Sequence, residues 1–501
     1  MECRRVILCR ETALLKTSMQ QALGALGEST RRRADMSWLL PVLALLLLIG
    51  LSYTILNLSW MIPIGMLGGI FGALFFFIQP GLSLLLFFAV RIVLDLLWWV
   101  PGSFAGLNLL AIFTGGATAL CGAIFALEFR RIERVPNLNA FLVFLAVLGI
   151  SAVRNLNLTA GVELLARFVS PPMMMFLVAA FLYRKRDAER MLRLLILICA
   201  IPLAVSLFHL ITGQMNTHTL AGYNRLLGGY KNLRHHGMMM MLMASLAGFW
   251  FYQADDRRLR LAALGYAGAA SLCLYLTYIR TGLLAFAAFV ISFLYISRRR
   301  RELGLVLALG ALVAVLSPEI QDRFKDIVLV FTMDGDDMFG ESRKLGSGRM
   351  GLWTDSFNEY LRRPLGDIIL GLGLGKHWIL TQAAYNPFTI VQDGQVDTHS
   401  DYLGLLYQLG PIALGCYLLM QLRIVQLGRA LARRSTDAFT RDLGALAAAL
   451  SVAVFVTNTI SNGFVNRTTL GWFFWGIAGL MLAAHMRMQE EHQKAIPLKR
   501  A

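Results

Sequence analysis

The chain has 501 residues, of which 57% are hydrophobic and 15% charged, and a formal net charge of +17. A soluble protein of this length would divide into several domains with more charge, so the composition excludes that class. Repeated apolar runs of about twenty residues match the thickness of a bilayer core and predict one all-α integral membrane domain.

Residues 1–35 form a basic, polar segment ending in Arg31-Arg32-Arg33. It lacks Ala-x-Ala cleavage chemistry, so no cleavable signal peptide is expected. Met36 is as good an initiator as Met1. Apolar spans follow at about 38–56, 60–78, 81–100, 104–127, 136–153, 164–183, 192–212, 236–254, 259–278, 281–297, 303–317, 401–421, 442–461 and 469–486, each long enough, or nearly so, to cross a bilayer. The spacing therefore predicts about 12–14 transmembrane helices. They fall in 36–317 and 400–486, with a large polar loop at 318–399 and a tail at 487–501.

Most of the 47 Lys and Arg residues cluster in the N-terminal segment, at Arg130/Arg131/Arg134, Arg184 to Arg193, Arg257/Arg258/Arg260, Arg298 to Arg301, Arg423 to Arg441, and in the tail. Every second loop is basic, which is the positive-inside pattern. The expected topology puts these clusters and both termini in the cytoplasm. The 213–235 loop, the turn at Arg280 and the 318–399 loop then lie on the opposite side. The charge thus reports orientation, and no nucleic-acid partner is expected. Cys3, Cys9, Cys121, Cys199, Cys273 and Cys416 suggest neither a disulfide framework nor a metal site.

The 318–399 loop is too large for a connector and is where a membrane enzyme is expected to keep its chemistry. Ser347 is expected to cap a helix from about Gly348 to Arg362, with Met350, Trp353, Phe357, Tyr360 and Leu361 on one face and Pro364 ending it. Gly371 to Gly375 lacks phosphate-loop spacing; a tight turn that lets backbone approach another element fits it better. The Met238 to Met243 stripe is expected to pack in the core.

Four polar residues map to the extracytoplasmic side: Arg225, Arg280, Arg349 and His399. An arginine fork matches phosphate oxygens, so arginines converging from separate loops suit a diphosphate at the membrane surface. Taken singly, Arg280 also reads as a side chain snorkelling to lipid phosphate, and Arg225 as a plain loop charge. His399, in Asp397-Thr-His-Ser-Asp401, is a candidate general base that Asp397 or Asp401 would orient. The other reading is an interfacial histidine at a helix start, where Ser400 would cap better. His235-His236 reads as a helix-start pair. Arg91 and Asp95, four apart, should share a helix face as a structural or functional ion pair.

Together these segments resemble the O-antigen ligase and polymerase superfamily of bacterial polytopic membrane glycosyltransferases. The matching pieces are Arg225-Leu-Leu-Gly-Gly-Tyr-Lys-Asn232, Tyr278-Ile-Arg-Thr-Gly282, Gly348-Arg349-x-x-x-Trp353, Gly371-x-Gly-x-Gly375 and His399-Ser-Asp-Tyr-Leu403 with Gly410. They occur in order over roughly residues 200–420. Ser400 stands where the family often has Asn after the histidine.

The resemblance implies a glycosyltransferase at the periplasmic face of the inner membrane, working without metal or other cofactor. Its donor would be a glycan on undecaprenyl diphosphate. Arg225 and Arg280 become ligands of the donor diphosphate, Arg349 a further candidate for that site, and His399 the base. The acceptor would be another glycan, for a polymerase of exopolysaccharide or O-antigen, or lipid A-core or protein for a ligase. Tyr278-Ile-Arg-Thr-Gly282 leans toward a polymerase, for which a flippase and a chain-length regulator would be partners alongside membrane lipids. A flippase or other transporter would share the span count, but transporters tend to show two similar halves and broken mid-membrane helices. This chain shows no such halves and places its polar bulk in one late loop.

Overall fold

The structure is a computed structural model that describes residues 72, 74–97, 103–104, 107–154, 158–214, 225–318, 321, 345–383 and 397–495. The N-terminal segment 1–35, the span at 38–56, nearly all of 60–78 and much of the 318–399 loop lie outside the described residues. Every element named below belongs to the compact unit Phe76–Ala501.

The architecture is helical. In chain order come α1 (Pro80–Leu96), a two-residue hairpin of β1 (Ser103–Phe104) and β2 (Leu107–Asn108), α2 (Leu109–Leu127), the single turn α3 (Phe129–Ile132), α4 (Leu138–Arg154), α5 (Leu158–Phe181) and α6 (Lys185–Ile211). Then follow α7 (Leu233–Gln253), α8 (Arg257–Leu276), α9 (Arg280–Ile296) and α10 (Arg300–Leu316). The late loop contributes α11 (Leu345–Leu361), α12 (Leu365–Leu370) and α13 (Trp378–Ala383) before α14 (Asp401–Arg434), α15 (Ala438–Ile460) and α16 (Thr468–Ala495). Among the described residues, six helices are long and apolar enough to cross a membrane, and three shorter apolar ones accompany them.

The helices sort by what covers them. The spanning window of α16 is 94% buried, whereas that of α8 is 17% buried. The first is the central post of the bundle, packed on α5 and α15. The second belongs to the perimeter, and its exposed Leu259, Leu261, Leu264 and Leu272 suit lipid, because in a bilayer an apolar face needs no protein partner. Met238 to Met243 in α7 are buried, as their spacing predicts. At the α14–α15 crossing, a Cβ on Gly428 would stand 2.6 Å from the Gly444 carbonyl oxygen. The two backbones approach that closely only because both residues are glycine.

Two polar belts mark the ends of the bundle. At one end Lys185 pairs with Asp437 at 2.8 Å, Arg299 with Asp442 at 2.7 Å, Gln253 donates to Asp442 at 2.7 Å, and Arg487 donates to the Tyr183 carbonyl. The loops with clustered arginines meet here. The opposite end gathers Arg234, Arg349, Asp397 and His399 with the 461–467 turn.

Two expected helix bounds shift. Asn232 caps α7, its side chain accepting from the backbone N–H groups of Arg234 and His235, so the helix starts at Leu233 and Arg234 sits on its first turn rather than in a loop. α11 begins at Leu345, which places Ser347 inside the helix and not at its cap. Its buried side is Leu352, Ser356 and Tyr360, while Met350, Phe357 and Leu361 of the expected apolar face are exposed. Trp353 and Tyr360 carry polar atoms that need partners. The helix turns to satisfy them: Trp353 Nε1 donates to the Thr398 carbonyl at 2.7 Å and Tyr360 OH to that of Ile368 at 2.5 Å.

Candidate active site

The 397–401 segment is built by its own turn chemistry. Ser400 caps α14, its Oγ accepting from Leu403 N–H at 3.3 Å and donating to the Asn458 carbonyl at 3.1 Å. His399 takes a left-handed conformation, φ +52°, which costs a non-glycine residue energy and persists where surroundings enforce it. Its own N–H donates to Asp397 Oδ1 at 3.3 Å, and Trp353 holds the neighbouring carbonyl.

A turn outside this segment holds both carboxylates. Asn462 donates its side-chain amide to Asp397 Oδ2. Gly463 N–H and Val465 N–H donate to Asp401 Oδ2 at 2.7 and 3.0 Å, and Asn466 Nδ2 to Oδ1 at 2.9 Å. The geometry thus separates the two candidate orienters. Asp397 Oδ2 lies 3.7 Å from His399 Nδ1. Asp401 is buried and committed to the turn between α15 and α16, which it pins to the start of α14.

Positive charge surrounds His399. Arg234 Nη1 stands 3.2 Å from Nδ1 of the ring. Arg349 Nη1 donates to the Ile460 carbonyl at 2.8 Å. Burial, then the Arg234 and Arg280 cations, pull the Arg349 guanidinium down to about 10. Arg280 opens α9, and Leu226 N–H donates to the Leu276 carbonyl at 3.0 Å, which seats the residue after Arg225 beside the α8–α9 turn. Four chain segments thus bring arginines toward one end of the bundle. Burial and then Arg234 hold the His399 imidazole down to about 4, against the pull of Asp397. The ring is therefore neutral near pH 7, the state a general base requires. Burial pushes the Asp397 carboxyl up, but His399, the Asn462 amide and His377 outweigh it and hold Asp397 below the usual range.

The glycine run is a structural seat. Leu372 and Gly373 donate N–H groups to the Tyr407 and Gln408 carbonyls at 2.8 and 3.2 Å, where Gly410, φ +77°, interrupts α14. A Cβ on Gly410 would stand 2.1 Å from the Ile369 carbonyl oxygen, and one on Gly371 2.3 Å from that of Gln408. Arg154 closes the seat, donating to the Gly371 carbonyl at 2.6 Å and pairing with Asp367 at 2.5 Å. The run therefore locks the late loop onto α14, with no anion required.

Arg91 and Asp95 do share a face, at 3.4 Å. Arg91 also donates to Thr469 and Thr114 at 2.7 Å each, Thr469 donates to Asp95 at 2.5 Å, and His235 Nε2 lies 3.4 Å from Asp95. This buried polar network links α1, α2, α7 and α16.

Arg234 and Asn462 are site residues that sequence reading did not single out. The Asn462-Gly463 pair carries a turn signal; Arg234 is masked by two adjacent histidines.

Residues 264–418 match the family described as O-antigen ligase. The matched stretch contains Arg280, Arg349, the glycine seat, Asp397, His399 and Asp401, and leaves Arg225, Arg234 and Asn462 outside. No curated protein matches the chain.

Proposed function

From an O-antigen ligase domain over residues 264–418, and with it a place in the O-antigen ligase and polymerase superfamily of glycosyl-transferring membrane enzymes, we propose that this protein polymerises lipid-linked glycan repeat units. The observation that carries the reading is the neutral His399 beside Asp397, with Arg234 and Arg349 close by. The donor is a glycan on undecaprenyl diphosphate, and the acceptor is the hydroxyl of another glycan.

In the reaction the acceptor oxygen attacks the anomeric carbon of the donor sugar, and the bond from that carbon to the diphosphate oxygen breaks. The electron pair leaves with the diphosphate, whose growing charge Arg225, Arg280 and Arg349 stabilise. The acceptor proton passes to His399. Asp397 supports the cationic ring that results. The chemistry needs no metal in this account, because guanidinium groups supply the charge that a cation would otherwise bring. Chelator should therefore leave turnover intact.

The alternation of basic loops supports a periplasmic site in the inner membrane, with both termini cytoplasmic. A reporter fused after Lys376 is expected to report the periplasm and one after Arg433 the cytoplasm; a cytoplasmic signal at Lys376 would reject this orientation.

The acceptor distinguishes polymerase from ligase, and cells lacking the protein report it. They are expected to accumulate lipid-linked glycan one repeat long. Accumulation of full-length lipid-linked chains would instead mean that the protein passes finished glycan to lipid A-core or to protein.

A further inference from the structure

Neither nitrogen of His399 is able to take a proton from an acceptor in the arrangement just described. A guanidinium has no lone pair and only donates. The Arg234 contact of 3.2 Å therefore falls on a lone pair at Nδ1, and a neutral ring with its lone pair at Nδ1 carries its hydrogen at Nε2. Nδ1 is occupied and Nε2 is already protonated. The catalytic tautomer is the other one, with Nδ1–H held by a carboxylate and the lone pair at Nε2. That carboxylate is in place. Asp397 Oδ2 is 3.7 Å from Nδ1, just beyond hydrogen-bond reach, and Asn462 and the His399 backbone N–H fix its position.

Resting on the assignment of His399 as the base, we propose that Arg234 is a positioning residue that keeps His399 in the inactive tautomer until the donor diphosphate draws its guanidinium away. Arg234 opens the α7 helix beside the Arg349 cation, so an anion settling among these arginines has Arg234 within its field. When Arg234 leaves Nδ1, the ring takes a proton from solvent water at Nδ1 and returns the one on Nε2 to water, and it stays neutral. Nδ1–H then donates to Asp397, and Nε2 faces the acceptor with a lone pair. The base is thus made ready only when a leaving group is bound, which keeps water from being activated in an empty site.

The charged groups that act on the ring are Arg234 on α7, Arg349 on α11 and Asp397 on its own turn. Arg234 touches it within hydrogen-bond distance from another element. The consequence appears in two pH profiles. That of kcat/KM reports the free enzyme, and that of kcat the donor complex. Arg234→Ala should move the acid limb of kcat/KM to higher pH, because one of the cations that, beside burial, oppose protonation of the ring is gone, and leave that of kcat in place, because Arg234 has already left the ring in the complex.

The direct test uses the full-length protein in nanodiscs, labelled with 15N at histidine, with undecaprenyl diphosphate as the probe. The His399→Asn spectrum identifies the signals of this ring. In the native protein Nδ1 is expected to carry the lone pair without probe and the proton with it; in Arg234→Ala the proton is expected at Nδ1 in both conditions. Arg234→Ala should also bind donor more weakly. An Nδ1 signal that probe does not change overturns the gate. If His399→Ala also transferred glycan normally, the base assignment itself would fall, and the two failures are read separately.

Discussion

His399→Ala is expected to lower glycan transfer by roughly 10²–10⁴-fold, the usual worth of a positioned general base, with donor binding close to normal. The ring is neutral and stands beside a carboxylate that two further groups hold in place. It contributes little to the fold. Ser400 does the capping of α14, and Trp353 reaches the Thr398 carbonyl rather than the imidazole. The variant should therefore insert and accumulate as the native protein does. Transfer from lipid-linked glycan in liposomes, with undecaprenyl diphosphate binding followed in parallel, checks it. Near-normal transfer would return the Asp397–Leu403 sequence to a helix start and nothing more.

The second large effect is expected at the arginines. Arg280→Ala, Arg225→Ala and Arg349→Ala should each weaken donor binding as well as transfer. A hydrogen bond to a charged group contributes about 1.5–3 kcal/mol, roughly 10–100-fold in Kd. Binding and rate fall together because the diphosphate is charged in the ground state and more so as it leaves. Lysine at Arg280 should recover only part of the loss, since it keeps the charge and loses the fork. Arg349 differs in one respect: it also donates to the Ile460 carbonyl, so its removal should loosen α11 from the end of α15 and lower thermal stability as well. Normal donor binding in the Arg280 and Arg225 variants would place the anion elsewhere.

Much of this was legible because its causes are local. Ser400 as cap, Pro364 as the stop after α11, the buried Met238 to Met243 stripe and the glycine turn all follow from residue chemistry within a few positions. The domain match likewise covers motifs that occur in order along the chain. What escaped was made by distance. Arg234 meets His399 across 165 positions, and Asn462 meets Asp397 across 65; no periodicity connects such pairs. The choice between Asp397 and Asp401 depended on a turn after α15 that lies beyond both. The α11 face was misread for a different reason. The polar atoms of Trp353 and Tyr360 need carbonyl partners, and those partners lie on the side that turns inward.

The central claim is that this protein breaks a sugar–diphosphate bond and joins the glycan to a second one. Purified protein in liposomes, supplied with lipid-linked repeat units from cells that lack it and with EDTA present, tests this most directly. The account predicts that undecaprenyl diphosphate is released in step with the appearance of longer lipid-linked glycan. Lipid-linked glycan that crosses the bilayer unchanged, with no undecaprenyl diphosphate released, would contradict it and would make the protein a transporter.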